Sequence, residues 1–330
     1  MLGGKKTLGM LPCCHHILSS DSHSILPSPF PWKHPENRPP LRDEESPSHL
    51  LLLKKYGLPF IIDIHTHFFP EYVMKQIWKW FDGVNWEIAY RESETQRLES
   101  LAKNQVRFFT TLNYAHKEKM SEGLNRWVFE NHSNTKGAIL FGTFFPEPGC
   151  LEYTKRAVEE YGFRGFKLHC EVGRLDLTRP ELSDTFSYLE NKKIPLVIHS
   201  GDAPLPGLYT NIRYFRSFIQ RYPELRTIVA HMGASEVWEY VELMSLFPEL
   251  RLDTTMVFVD FLATGEQTDP YLTILERFPD RIHFGSDFPN IPYALSHPIS
   301  NLLNSSLSDE VKQKVFLKNS ADLFGIKLEN

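Results

Sequence analysis

Phe60-Ile61-Ile62-Asp63-Ile64-His65-Thr66-His67 begins as a solid apolar run and ends in alternation. Side chains alternate along a strand, so Asp63, His65 and His67 share one side while Ile62, Ile64 and Thr66 share the other. A short run rich in isoleucine reads as a buried strand, and three polar residues gathered on one side of its C-terminal end place that end beside a polar site. Seven further runs of this kind follow: Val106–Leu112, Ala138–Phe144, Phe163–His169, Leu196–His199, Thr227–His231, Arg251–Thr255 and Arg281–Asp287. Between them lie amphipathic stretches with helical spacing: Ser93–Asn104, Glu118–Asn131, Leu151–Tyr161, Leu182–Lys192, Asn211–Arg221, Glu236–Leu246 and Asp269–Arg277, with Ser308–Lys318 closing the series. Eight strands alternating with helices are what a closed parallel (β/α)8 barrel, the TIM barrel of the α/β class, requires. The 273 residues from Leu58 to Asn330 suit one such unit, for which about 250 is typical. The stretch around Trp78, Trp80 and Trp86 fits none of the eight units and reads as an elaborated loop after the first strand.

Polar residues recur where the strands end. His65 and His67 close the first run, Lys167 and His169 the fourth, His199 the fifth, His231 the sixth and Asp287 the eighth. This is the face on which barrels build their active sites. Two imidazoles two residues apart can bind one ion, and His199 and Asp287, brought from across the ring, are the natural residues to complete its shell. Imidazoles with a carboxylate suit one divalent metal ion, zinc first, with manganese, iron or cobalt also fitting because selectivity depends partly on availability. One histidine at a strand end is more often a satisfied polar residue than a ligand, but five strands ending in metal-competent residues favour a metal centre. Asp63 and His169 are expected to support the ligands from behind. His116, His132, His283 and His297 lack such placement and read as structural or surface residues. Lys167 shares a face with His169, and alternation alone leaves open whether that face is the barrel interior or the helix layer.

Upstream of this unit the texture differs. Residues 1–57 hold eight of the 23 prolines and five of the 14 histidines, mixed with serine and without periodicity. Such a segment buries too little apolar surface to offset its ordering entropy and is expected to be a disordered tail. The Cys13-Cys14-His15-His16 cluster lacks the separations that let ligands converge on one tetrahedral ion. Four cysteines in the whole chain are no disulfide framework, and no apolar run approaches the length of a membrane span. The sequence therefore reads as cytoplasmic. A net charge of −5 offers no basic field for a polyanion, which argues against nucleic acid as a partner. A small-molecule substrate is expected instead, and a homodimer is compatible with the sequence.

Several motifs, in order, resemble one family: Asp63-Ile64-His65-Thr66-His67-Phe68-Phe69-Pro70, Gly165-Phe166-Lys167-Leu168-His169, Val197-Ile198-His199-Ser200-Gly201, Ala230-His231-Met232-Gly233, Gly285-Ser286-Asp287-Phe288-Pro289 and Asn319-Ser320-Ala321-Asp322-Leu323-Phe324-Gly325. From Phe60 to Ile326 the chain is similar to the amidohydrolase-related family, the branch of the amidohydrolase superfamily that includes aminocarboxymuconate semialdehyde decarboxylase and related metal-dependent hydrolases. The resemblance implies a (β/α)8 barrel holding a single zinc or similar ion on His65, His67, His199 and Asp287, with His231 as the acid/base residue. In two-metal members of the superfamily a carboxylated lysine from the fourth strand bridges the ions, so Lys167 is expected to bind an anionic part of the substrate, to form such a bridge, or to lie buried along its stem with its charge at the rim.

The family contains hydrolases, hydratases and nonoxidative decarboxylases, so fold and metal do not choose the reaction. The leading expectation is hydrolysis of a small carbonyl or carboxylate substrate by metal-activated water, with His231 and Asp287 handling the proton. The alternative is a metal-dependent decarboxylase, for which Arg91, Arg97, Arg164, Arg174 and Arg213 are carboxylate-binding candidates that the sequence does not rank. A barrel that has lost turnover and binds a partner is disfavoured by the intact His231 and Asp287.

Overall fold

The computed structural model describes residues 48–83, 86–201, 207–259 and 268–328. Among the described residues nine short strands appear: β1 (Ile61–Asp63), β2 (Val106–Thr110), β3 (Ala138–Ile139), β4 (Phe141–Gly142), β5 (Gly165–His169), β6 (Leu196–His199), β7 (Thr227–Val229), β8 (Leu250–Asp253) and β9 (Ile282–His283). β3 and β4 are two halves of one barrel strand. β3 pairs with β2 and β4 with β5, and the intervening Leu140 carbonyl accepts the Arg164 N–H at 2.8 Å. All the pairings are parallel, in chain order from β1 to β9. The ring closes where the last strand meets the first. There the Ile64 N–H donates to the Phe284 carbonyl at 3.0 Å, the Asp287 N–H to the His65 carbonyl at 2.8 Å, and the His67 N–H to the Phe288 carbonyl at 2.7 Å. The eight runs read from the sequence are thus the eight positions of a closed barrel.

Some of the helices between strands start where a side chain satisfies their free N–H groups. Ser93 and Gln96 form a reciprocal capping box at the head of Glu94–Lys103, and the Asn211 side chain accepts the Arg213 N–H at the head of Ile212–Arg221. Their apolar faces cover the strands, as with buried Phe215, Phe218 and Ile219. On β5, Phe166 points to the helix layer, where it meets Phe144 and Phe163. Lys167 therefore points to the barrel interior, with 0% of its surface exposed. That resolves which face it shares with His169. Behind the strand ends, Asn319–Phe324 terminates at Gly325, whose φ of 61° suits the left-handed end of a helix. Asn319 holds the carbonyls of Pro279 and Ile282 at 2.7 Å each, tying this helix to β9.

Three expectations change. The tryptophan-rich excursion is not a loop throughout: Glu71–Gly83 is a helix with Val73, Met74 and Trp78 buried. The closing helical stretch is divided into Asp309–Gln313, a wider turn over Lys314–Lys318, and Asn319–Phe324. The segment read as tail to residue 57 ends in a helix, Ser48–Lys55, packed against Ser296–Asn304. Too short to show clear periodicity, it is held by tertiary contacts instead. The Gln313 amide donates to the Tyr56 carbonyl at 2.9 Å, and the Lys312 ammonium lies 4.2 Å from the Tyr56 ring centre. The Cys13-Cys14-His15-His16 cluster lies outside the described residues.

Leu53, 2% exposed, anchors the Ser48–Lys55 helix. A chain starting at Lys55 would lose it, and Leu53→Ala is expected to cost about 2–5 kcal/mol. In a domain of this size each kcal/mol lowers Tm by roughly 2–4 °C. Thermal melting checks this, and a variant that melts with the native chain would show that the helix does not pack.

Two buried histidines outside the cluster around Asp287 make the fold sensitive to acid. His132 lies 4.8 Å from the Phe68 ring centre and 5.2 Å from that of Trp127. Burial first, and then Arg97, push it down to about 4. His283, bonded through Nδ1 to Ser320 Oγ at 2.9 Å, is pushed down to about 3, again by burial first. Both stay neutral in the folded protein while their unfolded counterparts take up protons near pH 6.5. The stability they contribute is therefore present above about pH 6.5 and is lost as pH falls towards 4 and 3, with a slope of about 1.4 kcal/mol per pH unit for each group. Urea unfolding at pH 7 and pH 5 measures the loss. His132→Phe is expected to shrink it, since neither His132 ring nitrogen has a hydrogen-bond partner to lose.

Candidate metal centre

The site is assembled at the seam between the first and last strands. Asp63, the last residue of β1, accepts the His65 N–H at 3.0 Å and the Ser286 N–H at 3.2 Å through Oδ1. It thus fixes the backbone that carries the histidine pair and the backbone before Asp287. The support Asp63 gives His65 passes through the main chain and not through the imidazole. Burial pushes the Asp63 carboxyl up to about 7, against the pull of those N–H groups.

His65 and His67 both turn towards Asp287. Asp287 Oδ1 lies 2.9 Å from His67 Nε2 and 3.3 Å from His65 Nε2. The other ring nitrogen of His65, Nδ1, is 2.8 Å from Asp253 Oδ2. His67 Nδ1 is buried and has no hydrogen-bond partner. Lys167 Nζ approaches His65 Nε2 at 3.4 Å. Burial pushes this ammonium down to about 8, against the attraction of Asp253 and Asp287.

His231 enters from the end of β7 on an unusual backbone. His231, Met232, Gly233 and Ala234 all have positive φ, of 56°, 51°, 79° and 55°. Only glycine fits the third position, because a Cβ there would lie 2.1 Å from Tyr240 Cδ2. The turn is held by the His231 N–H donating to Asp253 Oδ1 at 2.9 Å and by His231 Nδ1 at 3.2 Å from the Thr255 carbonyl. Since a carbonyl only accepts, Nδ1 carries the proton and Nε2 keeps its lone pair. His231, His65 and Asp287 each offer a ligand atom, and these atoms all lie within 4.8 Å of one another.

His199 stands opposite His169 in the β5–β6 register, and their rings stack at 4.1 Å. The His199 ring is also 4.6 Å from that of His231. His169 lies at the mouth, where its Nδ1 accepts the Val172 N–H at 3.4 Å and the Tyr114 ring centre is 5.0 Å away. Burial, then neighbouring positive charge and other imidazoles, hold His65, His169 and His231 well below the usual histidine range.

The structure thus brings His65, His67, Lys167, His169, His199, His231 and Asp287 to one face. Within that set, the tight donor group is His65, His231 and Asp287. His67 is attached through Asp287, and His199 borders the group through His231. A buried carboxylate oxygen shared by two imidazole nitrogens, with a third imidazole beside it, fits a divalent ion. Asp253 was missed in the sequence. It sits at the end of the seventh barrel position, inside the run Arg251–Thr255, and the rule that chemistry gathers at C-terminal strand ends points to it. Among the arginines, Arg91 pairs with Asp82, Arg97 donates to the Glu92 carbonyl and Arg164 to the Phe324 carbonyl. Cys150 and Cys170 are buried and unpaired. Among the described residues, no helix is long and apolar enough to cross a membrane.

Comparison with known proteins agrees with this fold. An uncharacterized TIM-barrel protein from Bordetella bronchiseptica is similar at 18% identity and a TM-score of 0.66, over 80% of this chain and 98% of its own. The 5-carboxyvanillate decarboxylase of Sphingomonas paucimobilis is similar at 15% identity and a TM-score of 0.62, over 82% and 100%. The 5-carboxyvanillate decarboxylase of Novosphingobium aromaticivorans, complexed with manganese and 4-hydroxy-3-methoxy-5-nitrobenzoic acid, gives 15% identity and a TM-score of 0.58, over 82% and 97%. No curated protein matches the chain. At these identities the solved structures speak for the fold alone, but the family model for amidohydrolases matches residues 62–326. The chain therefore belongs to the amidohydrolase family and is a metal-dependent enzyme of it.

Proposed function

We propose that this enzyme hydrolyses a small carbonyl substrate with one divalent ion held by His65, His67, His199 and Asp287. The observation that carries this reading is the single Asp287 oxygen set against both His65 Nε2 and His67 Nε2, with His231 in the same donor group. An ion held there would polarise the carbonyl and draw the pKa of a bound water towards about 7. His231, kept neutral by burial, takes the proton at Nε2, its Nδ1 being engaged by the Thr255 carbonyl, and returns it to the leaving group. Asp287 balances the charge and shares that proton. Lys167, the buried cation beside His65, holds a negatively charged oxygen of the substrate.

Decarboxylation is the second reading, favoured by the likeness of the fold to the two 5-carboxyvanillate decarboxylases. In it Lys167, the buried cation beside His65, binds the departing carboxylate; Arg91, Arg97 and Arg164 are engaged elsewhere, which leaves Arg174 and Arg213 of the arginine candidates. Protein reconstituted with zinc or manganese is tested on lactones, amides and aromatic or enoic acids, recording water addition and CO2 release separately. Water addition with about one equivalent of metal per chain is the expected result. Release of CO2 without hydrolysis moves the assignment to the second reading.

A further inference from the structure

Asp253 is fully buried at the C-terminal end of β8 and belongs to none of the groups assigned above. Its two oxygens have different tasks. Oδ1 accepts two main-chain N–H groups, from His231 at 2.9 Å and from Thr255 at 3.1 Å. Oδ2 faces His65 Nδ1 at 2.8 Å. A carboxylate only accepts, so His65 Nδ1 donates and Nε2 is left with its lone pair. A second contact points the same way. The Lys167 ammonium has donors and no acceptor, so its approach to His65 Nε2 at 3.4 Å also requires a lone pair on that nitrogen. The nitrogen thereby freed is the one that faces Asp287.

We propose that Asp253 is a positioning residue that fixes the tautomer of His65 and, through the other oxygen of the same carboxylate, the backbone turn that presents His231. One side chain thus sets both a metal ligand and the acid/base residue. The metal-ligand half rests on the function proposed above, whereas the tautomer belongs to the chain itself.

Asp253→Asn gives a directional test. The His231 and Thr255 N–H groups can only donate, so they hold the amide oxygen and turn the amide NH2 towards His65 Nδ1. That nitrogen must then accept, and the proton moves to Nε2, blocking the ligand position. Nitrogen–proton correlation spectra of the imidazoles in metal-free protein read this directly, with the His65 signals assigned through His65→Ala. The native chain is expected to show His65 protonated at Nδ1, and Asp253→Asn to show it at Nε2. Zinc affinity, by competition with a chelating dye, is expected to fall about 10–100-fold in Asp253→Asn, the range for partners that orient a ligand, with little change in melting temperature.

A native His65 protonated at Nε2 overturns the proposal even if the variant fails to fold. A folded variant that keeps the Nδ1 tautomer, or binds zinc as the native chain does, overturns it too. If the native chain binds no zinc while the tautomer reverses as expected, the proposed function falls and the positioning role stands.

Discussion

Asp287→Asn is expected to lower kcat by roughly 10²–10⁴-fold, the range for removing a group that moves a proton in the transition state, and to weaken metal binding as well. The substitution keeps the size of the side chain and removes its charge. It leaves the Asp287 N–H bond to the His65 carbonyl, so the seam between first and last strands stays closed. What it removes is the anionic oxygen that faces His65 Nε2 and His67 Nε2. An amide NH2 turned to either imidazole would occupy a lone pair that a metal needs, and a cation there would lose its counter-charge. Steady-state kinetics on a substrate from the panel, metal analysis and a melting curve together check this. Activity within threefold of the native enzyme, at full metal content, would remove Asp287 from the proposed mechanism.

The second large effect separates two histidines. His65→Ala is expected to release the metal. His231→Asn is expected to keep it while turnover falls roughly 10²–10⁴-fold. The proposal gives His65 two roles in binding, since its Nε2 faces Asp287 and its Nδ1 is held by Asp253. His231 stands in the same donor group, but its Nδ1 is held by a carbonyl and its ring is flanked by His65 at 5.2 Å and His199 at 4.6 Å. Metal content per chain, measured beside kcat, distinguishes the roles. Equal loss of metal from both variants would make His231 a ligand and reverse the assignment between His231 and His199.

The barrel was legible because most of its strands are short apolar runs bounded by polar residues, as in Leu196-Val197-Ile198 and Thr227-Ile228-Val229. The histidines were legible because imidazoles at strand ends are uncommon and recur at regular places. Asp253 was not. An aspartate followed by two threonines is also what an ordinary strand-to-turn junction looks like, and its partners His65 and His231 are 188 and 22 residues away. The orientation of Lys167 was equally hidden, because a period of two fixes which residues share a face and leaves open which way that face looks. The Ser48–Lys55 helix escaped notice for another reason. Its anchors, Leu53 and the nearby Tyr56, pack on parts of the chain about 250 residues later, such as Gln313.

The bond from the Ser286 N–H to Asp63 spans 223 positions of the chain. The same joint that closes the barrel therefore builds the metal centre. During synthesis His67 emerges 220 residues before Asp287, so a growing chain carries the histidine pair before the carboxylate that completes the group. Contacts of such separation form late, after the intervening chain has been ordered. Completion of the donor group is thus tied to completion of the ring, and a chain broken off before its eighth strand has neither a finished wall nor a finished centre.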